Sequence, residues 1–192
     1  MSSLPIPDGP DALTPGWLTD ALRSTGAIGE QRVTGVDASL ISEGVGFIGR
    51  VARVRLEYDR DPASAPASLI AKFPATEPTA KGIGVALRFY EREIRIYDEV
   101  TRHVPLRTPR RYYGDMRLET NEFILLLEDM APARIGDQIA GCSAADAARI
   151  VPRLAEFHAH FWESPLLKQF DWMPYYNDPC HHHAQASYRQ AW

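Results

Sequence analysis

A short glycine-rich stretch has the composition of a loop that could cover phosphate groups. Its glycines are Gly44, Gly46 and Gly49. Without side chains, the backbone at these positions can approach phosphate oxygens closely. The residues from Arg50 to Tyr58 then alternate like a strand, whereas a dinucleotide-binding loop leads from a strand into a helix. The pattern favours a strand–loop–strand flap over phosphates, and a glycine-rich hairpin turn without a ligand is the alternative.

Two oppositely charged residues lie where hydrophobic side chains are expected. Lys72 is the only charged residue in the strand-like segment 69–73, on the same face as Ile70. Glu93 falls inside the apolar stripe of a helix predicted at about 86–102. Because a buried charge needs a partner, we expect an ion pair between them. Such a pair can hold a lysine on nucleotide phosphates, and a purely structural salt bridge is the alternative.

A third candidate is the apolar segment 123–128, which runs into a linker. Backbone groups near Glu128 and Met130 could form hydrogen bonds with an adenine while apolar side chains enclose its ring. Any buried strand that precedes a domain joint has the same pattern. The segment therefore gains meaning only together with the other two features.

Five strands and a packed helix are predicted to position these residues. Alternating apolar residues indicate strands at Val33–Ser42, Arg50–Tyr58, Ser68–Phe73, Arg111–Met116 and Glu122–Glu128. The helix at about 86–102 follows the third strand, and a short helix with Thr14 as its N-cap opens the fold. A further helix is predicted to begin at Ser143 and to bend at Pro152. This order indicates an α+β protein with a five-stranded antiparallel sheet.

Five segments, in this order, resemble one superfamily of kinases. They are Gly44–Val51, Leu69–Phe73, Phe89–Tyr97, Leu125–Asp129 and Leu154–Trp162. Over about 33–162 the sequence is similar to the aminoglycoside phosphotransferase and choline/ecdysteroid kinase-like superfamily. The resemblance implies a nucleotide-binding N-lobe of the protein-kinase-like fold at 32–130, after a leader and short helix at 1–31. Residues 131–192 would then form a linker and the incomplete start of a helical C-lobe.

The resemblance also implies a cofactor and a role for each candidate residue. Members of the superfamily use ATP and Mg²⁺, and transfer the γ-phosphoryl group to the hydroxyl of a small molecule. The implied roles are phosphate cover for Gly44, Gly46 and Gly49, adenine roof for Val51, phosphate contact for Lys72, positioning of Lys72 for Glu93, and hinge for Glu128–Met130.

One motif of the superfamily is missing from these 192 residues. A His-Gly-Asp sequence with a nearby Asn, and a later Asp, should supply the catalytic base and the Mg²⁺ ligands, and no His-Gly-Asp occurs here. We therefore assign no catalytic or metal-binding residue in this chain and expect those groups in a missing lobe. Without them phosphoryl transfer loses its positioning and charge stabilisation, although nucleotide binding can remain. A noncatalytic module that binds a nucleotide or a partner, and an unrelated α+β domain, are the alternatives.

Composition excludes several other classes. The formal net charge of −4 gives no general attraction to nucleic acid, and the hydrophobic and charged fractions, 45% and 24%, are those of a globular protein. No apolar run is long enough to span a bilayer, so no membrane partner is expected. Cys142 and Cys180 are too isolated for a disulfide framework or a paired-cysteine zinc site, which predicts a cytoplasmic location.

The histidines and the C-terminal aromatic residues carry weaker signals. His158 is predicted to be a hydrogen-bonded core residue and His160 a surface residue. The tract Cys180–His183 lacks a second ligand cluster, so we interpret it as an incidental polar segment. Exposed aromatic side chains near the C-terminus predict self-association, and they are Phe170, Trp172, Tyr175, Tyr176, Tyr188 and Trp192.

Overall fold

The computed structural model describes most of the chain as two compact units. The described residues are 4–41, 48–61, 64–133, 136–137, 139–175, 179 and 188–189. The first unit comprises Met1–Tyr97 and Thr108–Ile135, and the second comprises Asp98–Arg107 and Gly136–Trp192. The first, here called the sheet unit, contains every described candidate residue.

An antiparallel sheet forms the centre of the sheet unit. Its strands are β1 (Val33–Leu40), β2 (Gly49–Tyr58), β3 (Ser68–Pro74), β4 (Arg111–Arg117) and β5 (Glu122–Glu128). The spatial order is β1-β2-β3-β5-β4, and every neighbouring pair is antiparallel. The predicted α+β class with five antiparallel strands is therefore confirmed.

One face of the sheet packs against helix α1 (Pro15–Ser24). Thr14 caps this helix as predicted, because its Oγ1 accepts a hydrogen bond from the Trp17 N–H at 3.2 Å. Trp17 Nε1 donates to the carbonyl of Pro5 at 2.7 Å, which ties the N-terminal segment to the helix. The fully buried core of this face includes Leu18, Leu22, Val54, Leu69, Ile124 and Leu126.

The opposite face carries a smaller cluster of buried residues that includes Tyr90, Phe123 and Leu125. Lys72 and Ile70 lie on this face, since Lys72 pairs across the ladders with Val51 and Leu125. Because side chains alternate between the two faces of a strand, Lys72 lies on the face opposite the core that packs against α1. This is the face that the sequence predicted for both residues.

The predicted single helix at about 86–102 is wrong in extent. Two helices stand between β3 and β4: α2 (Pro78–Ala86) and α3 (Phe89–Arg95). Arg88, in the left-handed region with φ 54°, separates them. Beyond Arg95 the chain continues as a π-helical turn, Ile96–Val100, and a 3₁₀ turn, Thr101–His103.

Helix α2 was missed because Gly82 and Gly84 lower its helix propensity. Two local features compensate. Pro78 occupies the first turn, and the Glu77 carboxylate accepts hydrogen bonds from two N–H groups of that turn. Gly84 is required by packing, because a Cβ there would lie 2.7 Å from the Tyr90 hydroxyl.

The second unit contains helix α4 (Ala144–Phe161), which Ser143 caps and which includes Pro152. No residue of this helix is buried, so the prediction of a core position for His158 is wrong. His160 is exposed, as predicted. Phe170 is buried rather than exposed, which corrects part of the predicted aromatic patch.

Three of the remaining aromatic residues are described by the structure. Tyr175 and Tyr188 are exposed, and Trp172 donates a hydrogen bond to Glu99 Oε2 at 2.8 Å. Tyr176, Trp192 and the tract Cys180–His183 lie outside the described residues. Among the residues that are described, no helix has both the length and the hydropathy needed to cross a bilayer.

Candidate functional site

The ion pair expected from the sequence is present in the sheet unit. Lys72 Nζ, on β3, donates to Glu93 Oε1, on α3. The two side chains are 28% and 29% exposed, so the pair is reachable from solvent and partly shielded by its surroundings. The sheet holds Lys72 between two neighbouring strands, and α3 brings Glu93 to it. The arrangement fixes one ammonium group at a defined position on the sheet.

A cavity of about 580 Å³ opens beside this ion pair. Its volume falls within the range of small-molecule sites, about 300–1,000 Å³. Most of the wall is apolar, and the charged residues in its described part are Lys72, Glu93 and Arg92. The apolar and glycine residues of the wall are Ile48, Gly49, Val51, Phe73, Phe89, Tyr90, Ile96 and Phe123. An apolar cleft with a few charged groups suits a ligand that has a flat apolar part and an anionic part.

Four of the eight sequence-predicted residues line this one cavity. They are Gly49, Val51, Lys72 and Glu93. Gly44 and Gly46 lie outside the described residues. Glu128 and Met130 are not in the cavity wall but at the end of β5 and beyond it.

Ile48, near the end of the predicted flap, is tied to α3 by a tyrosine. The hydroxyl of Tyr90 donates to the Ile48 carbonyl at 2.7 Å and accepts from the Ala75 N–H at 3.3 Å. Tyr90 is buried, and the sequence indicated it only as part of an apolar stripe. Gly49 is also constrained, because a Cβ there would lie 2.9 Å from the Phe73 carbonyl oxygen. The flap therefore ends in a fixed, closely packed position.

Asp129 organises the chain just after β5. Its carboxylate accepts from Arg53 Nε and from the Ser68 hydroxyl, both at 2.8 Å, and from the Ala131 N–H at 3.1 Å. The Asp129 side chain is 5% exposed. The carboxylate thus joins β2 and β3 to the segment that leaves the sheet. Sequence reasoning missed this role because the partners are distant along the chain.

Glu128 is also held on the sheet. Its N–H donates to the Arg110 carbonyl at 2.8 Å, and its Oε2 accepts from the Arg110 N–H at 2.9 Å. The carbonyl of Met130 accepts from the Ala133 N–H at 2.9 Å. Together with the contacts of Asp129, these bonds give the predicted hinge a defined backbone conformation.

The environment of Asp129 sets its pKa. Burial acts to raise the pKa of this carboxyl, but hydrogen bonds from Arg53, Ser68 and Ala131 outweigh burial and hold the pKa below its ordinary value. A lowered folded-state pKa means that ionised Asp129 stabilises the fold. That contribution is complete above the unfolded-state pKa, about 3.9, and is lost as the pH falls through the folded-state pKa.

Replacing Asp129 with asparagine should therefore reduce stability in a pH-dependent manner. At pH 7 we expect D129N to lose about 1–3 kcal/mol of the free energy of unfolding, since charge-assisted hydrogen bonds are removed. The loss should begin to shrink below about pH 4, where the unfolded-state carboxyl takes up a proton, and should vanish only below the lower folded-state pKa. Urea unfolding at pH 7 and pH 3 measures both values. The control is D37N, because Asp37 and its partner Arg55 are both exposed and such pairs contribute little. A loss that is equal at the two pH values would contradict this explanation.

Comparison with known families identifies the class of protein. The model of the ecdysteroid kinase-like family matches residues 43–162, which is more than half of the chain. The chain belongs to the ecdysteroid kinase-like family. This family is part of the protein-kinase-like superfamily, in agreement with the resemblance inferred from the sequence. No curated protein and no solved structure gave a match.

Family membership places the chain among the kinase-like phosphotransferases. The matched range contains every candidate residue, from Gly44 to Met130, and helix α4. The Lys72–Glu93 ion pair, the cavity and the Tyr90–Ile48 hydrogen bond therefore all lie within the part of the chain that matches the family.

Proposed function

We propose that the sheet unit binds ATP and forms the nucleotide-binding part of a small-molecule phosphotransferase. The observation that carries this proposal is the Lys72–Glu93 ion pair on the wall of the 580 Å³ cavity. In this proposal the phosphates lie next to Lys72 and the adenine lies towards the hinge. The glycine-rich stretch, including Gly44, Gly46 and Gly49, would cover the phosphates.

Lys72 has the chemistry that a phosphate contact requires. An ammonium group has three N–H donors, and the Glu93 carboxylate engages Lys72 on one side. The remaining donors can bind phosphate oxygens, while Glu93 keeps the flexible lysine stem in place. A lysine that already has a fixed orientation loses less conformational freedom when the ligand binds. Glu93 therefore serves as a positioning residue.

The adenine end of the proposed site is apolar with a polar edge. Val51, Lys72 and Leu125 lie side by side on one sheet face, as do Arg53, Ile70 and Leu127. Val51 and Ile70 can cover one side of an adenine ring. At the edge, Met130 is exposed, and its N–H has no acceptor among the described residues. This N–H is the hinge donor that we assign to the base.

Mg²⁺ would arrive with the nucleotide and would neutralise phosphate charge during transfer. We assign no Mg²⁺ ligand in this chain, because the His-Gly-Asp segment that should precede the ligands is absent from its sequence. The residues present would bind and orient the nucleotide, and the missing groups would orient and deprotonate the hydroxyl acceptor. We expect this chain alone to bind MgATP without transferring phosphate.

The second candidate function is a noncatalytic module that binds nucleotide or a partner. An assay of phosphate transfer distinguishes the phosphotransferase from the noncatalytic module. A longer form that carries the missing segment should phosphorylate at least one member of a panel of alcohols and aminoglycosides. A well-folded longer form that binds MgATP and phosphorylates none of them would favour the noncatalytic module.

Calorimetric titration with MgATP tests the binding function itself. We expect saturable binding with a stoichiometry of one, and weaker binding of MgGTP because the hinge edge is assigned to adenine. Adenosine should bind more weakly than MgATP, since it lacks the groups that reach Lys72. A folded protein that shows no heat of binding with MgATP at millimolar concentration would overturn the proposal.

A further inference from the structure

A second cation, Arg92, lines the same cavity as the ion pair. Arg92 precedes Glu93 on α3, and both belong to the cavity wall together with Phe89 and Ile96. The spacing of these residues is i, i+3, i+4 and i+7, which places them on one side of a helix. The helix that delivers Glu93 to Lys72 therefore also delivers a guanidinium group to the cavity.

This guanidinium lacks a partner in the described part of the chain. Arg92 Nε is buried and donates to no acceptor there. The other arginines of this region are arranged differently: Arg88 Nη2 lies 2.6 Å from Glu91 Oε1, and Arg95 Nη1 lies 3.9 Å from the same oxygen. Arg92 thus differs from Arg88 and Arg95 in lining the cavity without a carboxylate partner among the described residues.

The charge of the cavity depends on this residue. Among the described residues of the wall, Lys72 and Glu93 cancel each other and Arg92 adds one positive charge. The Arg92 side chain lines the cavity, so an anion that enters can pair with its charge. A planar guanidinium matches the oxygens of a phosphate group in a two-pronged geometry. An anion with several oxygens, such as a phosphate group, therefore suits this part of the cavity.

We propose that Arg92 is a phosphate-binding residue that contacts the polyphosphate chain of the nucleotide beside Lys72. This inference rests on the proposed function. Two cations would then contact the phosphates. Lys72 is positioned by Glu93, whereas Arg92 forms its ion pair with the ligand. A residue with this role contributes to ligand binding and not to the stability of the unliganded protein. Its removal should therefore lower the affinity for the nucleotide without lowering the melting temperature of the unliganded protein.

The test compares Arg92→Gln with Arg95→Gln, which removes the same charge from the same helix outside the cavity. Calorimetry is carried out with MgATP, inorganic triphosphate and adenosine. For R92Q we expect an affinity loss of about 10- to 100-fold for MgATP and for triphosphate, the range of a charge-assisted hydrogen bond. Adenosine affinity should not change, and R95Q should bind all three ligands like the parent.

The unliganded melting temperature provides a readout that a structural role would move. R92Q should melt at or above the parent temperature, because an unpaired buried donor is removed. Arg92→Lys keeps the positive charge but loses the planar group that can donate two parallel hydrogen bonds. This variant should have an affinity for MgATP between those of the parent and R92Q. A lower melting temperature of R92Q with unchanged MgATP affinity would overturn the inference.

The outcomes also separate this inference from the proposed function. If the parent binds MgATP and R92Q binds it equally well, the role of Arg92 is wrong and the proposed function stands. If the parent binds triphosphate as tightly as MgATP, and R92Q loses both, Arg92 is a phosphate ligand and the adenine-binding part of the proposal is wrong. If the parent binds neither ligand, both proposals are wrong.

Discussion

Replacing Lys72 with alanine is expected to remove the increase in melting temperature that MgATP produces in the parent protein. A ligand that binds only the native state stabilises it by mass action, by about 2.7 kcal/mol at a concentration of 100 times Kd. Lys72 supplies the proposed phosphate contact, and its loss leaves Glu93, an anion, facing the phosphates. At a fixed MgATP concentration most of the stabilisation should therefore disappear. Thermal unfolding with and without MgATP measures the effect.

Lys81→Ala is the matched control for this prediction. Lys81 is an exposed lysine in α2 and does not line the cavity, so its variant should keep the full MgATP-induced shift. Lys72→Met adds a variant that retains the apolar stem and loses only the charge. If Lys72→Ala and Lys72→Met both keep the shift of the parent, Lys72 does not bind the phosphates.

The largest effect on stability is expected for Leu126→Ala in strand β5. Leu126 is 0% exposed and belongs to the core between the sheet and α1. Truncating a buried leucine removes its transfer free energy and leaves a cavity, which typically costs about 2–5 kcal/mol of the free energy of unfolding. Urea unfolding followed by circular dichroism should show a lower midpoint with an unchanged slope.

Leu118→Ala provides the comparison for the core substitution. Leu118 is 60% exposed, in the turn between β4 and β5. Its truncation should change the free energy of unfolding by no more than about 0.5 kcal/mol. Equal losses for the two variants would mean that the sheet unit is not packed as described.

Sequence patterns predicted the sheet and the ion pair because both depend on local periodicity. The alternation of β2 and β3 decides which face each residue occupies, and a charge inside an apolar stripe stands out without a structure. Lys72 and Glu93 were found in this way. Their contact could be inferred because Lys72 lies on the sheet face that the helix carrying Glu93 was predicted to cover.

The contacts that sequence reasoning missed depend on distant residues. Tyr90 was visible only as an apolar position, since the carbonyl that its hydroxyl binds belongs to Ile48, 42 residues earlier. Asp129 joins Ser68 and Arg53, which are 61 and 76 residues away. Periodicity carries no information about such partners.

Local backbone effects account for the error in the helical region. The apolar stripe continues across Arg88, so the pattern predicted one helix from about 86 to 102. Arg88 instead adopts a left-handed conformation that only a minority of residues other than glycine use. Sequence reasoning did not single out Arg92, and the cavity reveals its position beside the ion pair.

Chemical labelling with an ATP acyl phosphate tests the central claim most directly. This reagent carries its acyl group on the terminal phosphate and transfers it to a lysine amine near the bound phosphates. Mass spectrometry of the digested protein should find Lys72 acylated, and excess MgATP should suppress that labelling. Lys81 and Lys168 should react slowly and independently of MgATP. Labelling of Lys72 that MgATP does not reduce, or that only equals the labelling of Lys81, would contradict a nucleotide site at the Lys72–Glu93 pair.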